Sequence, residues 1–131
     1  MKKLPLVLSL FVGLVFSFTS LAQVDRSQLS DAIEQREPVN DLGTSVSVAP
    51  GEFKKVYFFT QISHLANQQI THRWLYQGVE KAAVTLNIGS DNWRTYSSKI
   101  LPDYWPGEWQ VQVWYGDLQL LTYDFTVVNE N

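Results

Sequence analysis

Two histidines, one adjacent pair of serines and five tryptophans are the residues here whose types could do chemistry. Ser97 and Ser98, with His72 or His64, supply a nucleophile and a base. A serine hydrolase needs Ser, His and a carboxylate converging from separate loops. Neither serine sits in a nucleophile elbow, and Lys99 follows too closely for Ser-x-x-Lys chemistry. A small serine-type hydrolase using Ser97 or Ser98 with His72 is therefore the alternative reading.

Metal chemistry has less to work with. His64 and His72 are separated by an expected turn, and cysteine is absent. The carboxylates lack calcium-loop spacing. Glu80, Asp91, Asp103 and Glu108 show no pairing across a cleft of the kind glycoside hydrolysis requires. The sequence leads us to expect no cofactor, no metal site and no enzymatic activity.

Recognition is better supplied. His72 and Arg94 each interrupt an apolar or aromatic stretch. Trp114 lies in phase with Gln110 and Gln112. Trp93 and Trp105 fall at a strand end and in a loop. If their strands are neighbours, His72, Arg94 and Trp114 would form one aromatic and cationic patch, with Trp93 and Trp105 adding stacking area. Arginine offers a planar fork of donors and indole a broad flat ring. The plainer reading is a hydrogen-bonded histidine and an arginine laid on a ring, both bracing the sheet.

The elements that must position these residues read as strands. Val79 to Ile88 places Ala82, Val84, Leu86 and Ile88 on one face, a period of two. Glu108 to Tyr115 sets Trp109, Val111 and Val113 against Gln110, Gln112 and Trp114, and Gly116-Asp117 turns it into Leu118 to Val128. Ile70 to Gln77 puts His72, Trp74 and Tyr76 on one face. Val56-Tyr57-Phe58-Phe59 reads as a strand buried on both sides. Trp74 and Trp109 are expected in the core, while Leu101 to Gly107, with two prolines, is expected to be a loop. Thr44 to Ala49 and Trp93 to Ile100 complete seven to eight short strands, an all-β sandwich. Only Val24 to Gln35 is ambiguous, since Leu29 and Ile33 suit a helix, and Pro38 is expected to end either element.

Several motifs agree in order and spacing: Arg36-Glu37-Pro38-Val39, Phe59-Thr60, His72-Arg73-Trp74, Trp93-Arg94-Thr95-Tyr96-Ser97-Ser98-Lys99, Pro106-Gly107-Glu108-Trp109 and Phe125-Thr126-Val127. From Val24 to Val128 the chain resembles the bacterial family called domain of unknown function 2914. The resemblance implies an exported, immunoglobulin-like antiparallel sandwich, and it implies that Arg26 to Pro38 is a first strand. It implies no activity.

The first residues set the compartment. Met1-Lys2-Lys3, the apolar run Leu4 to Phe18 and the small residues before a cut after Ala22 form a secretory signal pattern. Residues 1–22 are thus expected to be a signal peptide and 23–131 a single domain. With Cys 0, no lipid-bearing cysteine follows the cut and no disulfide is available. The whole chain carries a formal charge of −3, and once Lys2 and Lys3 leave with the signal no Lys/Arg cluster denser than Lys54-Lys55 remains, which argues against nucleic acid. The expectation is a non-enzymatic periplasmic binding or accessory module of the cell envelope. Its partner would be an envelope protein or a cell-wall glycan, with no stable membrane insertion once the signal is removed.

Overall fold

The computed structural model describes residues 22–130. The expected export segment, residues 1–22, therefore lies outside the described residues except for Ala22. The described residues form nine strands and no helix: β1 (Gln23–Glu34), β2 (Glu37–Asp41), β3 (Ser45–Ser47), β4 (Phe53–Ser63), β5 (Gln69–Tyr76), β6 (Val79–Asn87), β7 (Asn92–Pro102), β8 (Gly107–Tyr115) and β9 (Leu118–Val128). One sheet runs β2-β1-β4-β7 and the other β3-β9-β8-β5-β6. Every pairing is antiparallel except the short parallel one between β3 and β9.

The sandwich closes because each sheet turns alternate residues inward. Leu29, Val56, Phe58, Ile62 and Leu101 from the first sheet meet Ile70, Trp74, Trp109, Val111, Val113 and Phe125 from the second. Trp74 and Trp109 are buried as expected. Trp109 stacks on Phe125 with centroids 6.1 Å apart, and its Nε1–H donates to the Trp105 carbonyl at 3.0 Å. Burying such large rings removes enough apolar area from water to hold a small domain that has no disulfide.

Three expectations change in detail. There are nine strands rather than seven or eight, because Glu37–Asp41, expected to be a break and a turn, also pairs as β2. Pro38 does not end an element; it sits within β2, opposite Ile33. On that sheet edge its missing N–H costs no ladder bond. Leu101 and Pro102 extend β7 rather than beginning a loop, again on an edge strand. The ambiguous first segment is strand β1, paired on both sides, so its two partners override the helical spacing of Leu29 and Ile33.

Candidate functional site

His72 is fully buried and reaches from β5 toward the opposite sheet. Its Nδ1 lies 2.6 Å from Ser97 Oγ on β7, and its Nε2 lies 3.1 Å from Thr60 Oγ1 on β4. Trp74 Nε1–H donates to the same Ser97 Oγ at 3.0 Å, and the Thr60 hydroxyl donates to the Thr95 carbonyl at 3.3 Å. The ends of this chain set its direction, since an indole N–H only donates and a carbonyl only accepts. Ser97 therefore gives its hydrogen to His72 Nδ1, and His72 Nε2–H gives its own to Thr60. One neutral tautomer satisfies every group. Burial agrees, lowering the His72 pKa to about 3.

This geometry corrects the sequence expectation for His72, which is a bridge between the sheets and not part of a surface patch. It also bears on the hydrolase alternative. Ser97 and His72 do meet, but Ser97 is only 4% exposed and His72 0%. His72 Nε2 faces a threonine hydroxyl where a triad would place a carboxylate. Ser98 lies opposite Tyr57, on the other side of the sheet. Ser97 and His72 do not line the depressions beside Gln110, beside Asn67 or beside Ala49. Among the described residues no group of three or more potential metal ligands converges.

Arg94 and Trp93 belong to the first sheet, away from Trp114. Arg94 pairs across from Gln61, and its Nη1 donates to Glu37 Oε1 at 2.9 Å. Arg26 donates to the other oxygen of Glu37 at 2.8 Å. The hydrogen bond from Arg26, helped by that from Arg94, holds the Glu37 carboxyl below the usual carboxylate range. Trp93 packs on the core and carries the Arg36 guanidinium 4.4 Å from its ring centroid. A Cβ on Gly89 would come within 2.7 Å of that indole, so the ring fits only over a glycine. Trp105 stacks on Tyr76 at 5.7 Å and lies beneath Lys81. These side chains brace a hairpin and a loop.

Trp114 is different. It lies on the outer face of the second sheet, where Thr71 pairs with Trp114, Arg73 with Gln112, and Leu75 with Gln110. On the other side of β8, Gln112 pairs with Thr122 and Gln110 with Asp124. A hydrogen-bonded row runs along this face. Trp114 Nε1–H donates to Gln112 Oε1 at 2.8 Å, Gln112 Nε2–H to Gln110 Oε1 at 2.6 Å, and Gln110 Nε2–H to Asp124 Oδ1 at 2.7 Å. The Arg73 guanidinium lies 5.7 Å from the Trp114 ring centroid and is fixed by Glu80 at 2.7 Å. A depression of about 560 Å³ opens beside Gln110 and Asp124 and includes Gln77, Glu108 and Thr126 in its wall.

Of the residues singled out from sequence, only Trp114 thus belongs to a hydrogen-bonded row on the outer face of a sheet. His72, Arg94 and Trp114 do not converge. Arg73 and Asp124 were missed because cross-strand register, which is non-local, brings them to the row. The glutamines did leave a signal: Gln110-x-Gln112-x-Trp114 is a period-two polar face.

The two sheets and their connections define an immunoglobulin-like β-sandwich. It is similar to a solved immunoglobulin-like protein from Pseudomonas aeruginosa, with a TM-score of 0.55 and 15% identity over 83% of this chain and 98% of that one. Residues 67–127 match the model of the family described as a protein of unknown function, DUF2914. The motif resemblance from His72 to Val127 is borne out over that span. A β-glucosidase from Listeria innocua, in complex with glucose, gives a TM-score of 0.40 with 11% identity, over 78% of this chain and 16% of that one, and carries no weight. No curated protein matches the sequence.

Proposed function

We propose that this protein is a non-enzymatic binding module of the bacterial cell envelope, exported through its N-terminal segment. Its working surface is the outer face of the second sheet around Trp114, and its partner is an envelope protein or a cell-wall glycan. The observation that carries the reading is the row Trp114, Gln112, Gln110 and Asp124. Four side chains, three half-buried and Asp124 exposed, are aligned by hydrogen bonds on the face turned away from the core. Core packing does not call for such order, whereas a recognition surface gains from preorganised polar groups. The sealed pair of Ser97 and His72 supports the non-enzymatic side of the reading, since a substrate would have to unpack the core to reach it.

The test is capture from envelope extract with the immobilised protein and its Trp114→Ala variant, after equal melting temperatures show that both are folded. The native protein is expected to retain a component that the variant loses. Identical retention by both would remove this face from the function.

A further inference from the structure

Resting on the binding-module reading, we infer that the Trp114 face takes a neutral, hydroxyl-rich glycan chain. The groups presented are mainly amides and hydroxyls. Gln69, Thr71, Thr85, Gln110, Gln112 and Thr122 all follow the outward phase of their strands. A primary amide has two N–H donors and an oxygen with two lone pairs. In the row, Gln112 and Gln110 each spend one hydrogen and one lone pair on neighbours. Each keeps one donor and one acceptor whose orientation is already fixed. A sugar hydroxyl is likewise donor and acceptor, so it can satisfy both.

Spacing and shape fit an extended chain. Outward residues two apart on a strand lie about 7 Å from one another, so Trp114 to Gln110 spans roughly 14 Å. Trp114 offers an indole at one end of this track. At the other end lies the depression of about 560 Å³, within the size range of small-ligand sites. Its walls carry the Glu108 and Asp124 carboxylates and the Thr126 hydroxyl, all able to accept from hydroxyl groups.

Charge narrows the ligand. Arg73 is already neutralised by Glu80. Glu108 and Asp124 make no ion pair among the described residues, so the uncompensated charge here is negative. Phosphates and uronates would be repelled. A cationic peptide would meet the two carboxylates and could pair its backbone with the amides, so the envelope capture below tells it from a glycan.

The experiment is a fluorescence and calorimetric titration of the purified protein with cellohexaose and chitohexaose, using hexagalacturonate as the anionic counterpart. Saturable binding of a neutral chain is expected, with a change in tryptophan emission and no binding of hexagalacturonate. Trp114→Ala should weaken binding by at least about tenfold and Gln112→Ala by roughly three- to tenfold, the range of one or two lost hydrogen bonds. Lys55→Ala, on the other sheet, should bind like the native protein. No saturable binding of either neutral chain, or undiminished binding by a folded Trp114→Ala, overturns the inference. If neither chain binds but Trp114→Ala still loses a protein in envelope capture, the glycan inference falls while the binding-module reading stands. If Trp114→Ala loses nothing in either assay, both fall.

Discussion

At the scale of single residues, the decisive group is His72. It sits between the sheets as a neutral imidazole with Nε2 protonated, because Trp74, Ser97, Thr60 and the Thr95 carbonyl leave no other consistent assignment. A second proton would place an N–H at Nδ1, against a serine hydroxyl that already accepts from Trp74. Burial lowers the folded-state pKa to about 3 from an ordinary value of 6.5. Between those values the unfolded chain binds a proton that the folded chain does not. Stability contributed by His72 is therefore intact above about pH 6.5 and declines as the pH falls toward 3, by about 1.4 kcal/mol per pH unit. Going from pH 6.5 to 4.5 should cost roughly 2 kcal/mol from this residue alone. Urea unfolding of the native protein and of His72→Gln across this range checks it. The variant's stability curve should lack one proton's worth of slope. Parallel curves would mean that the histidine is charged in the fold.

At the scale of elements, the exposed problem is β7. It is 11 residues long and forms one edge of its sheet, so a row of backbone groups faces solvent. Tyr96 and Ile100 are exposed on its outer side. Long apolar edges pair with other chains unless something blocks them. Here the block is Lys99, which pairs with the buried Val56 and so lies in the core-facing phase of the strand. A second strand docking on β7 would have to desolvate its ammonium. Lys99→Val is expected to shift the protein toward dimers and larger species in sedimentation velocity at raised concentration, with the native protein unchanged. A variant that sediments as the native protein does would show that other features guard the edge. The same scale explains what was legible in the sequence. β6, β8 and β9 bury one face each, so their alternation is plain. Within Thr44 to Ala49 the alternation of Val46 and Val48 revealed β3, though with wider bounds, whereas β2 could not be read, because five residues that include a proline are too short for periodicity to show. In β1, Leu29 and Ile33 satisfy both periods, and only pairing with β2 and β4 decides between them. The inward phase of His72 could be read from Trp74 and Tyr76 beside it. Its partners Thr60 and Ser97 could not, since they arrive from the other sheet.

At the scale of the molecule, export and fold meet at one peptide bond. The expected cut lies between Ala22 and Gln23, and Gln23 is the first residue of β1, opposite Ser63. Cleavage there would leave all nine strands whole and place the new terminus at the end of an inner strand. An earlier cut would leave an apolar tail of the signal on the domain, and a later one would shorten the pairing of β1 with β4. A cut after Ala22 thus leaves neither an apolar tail nor a shortened strand. Intact-mass measurement of protein recovered from the periplasm of an expressing bacterium should give a chain beginning at Gln23, lighter by one ammonia where that glutamine has cyclised. Recovery in the membrane fraction, with a mass that still includes residues 1–22, would make the segment an anchor. The Trp114 face would then work on a tethered module.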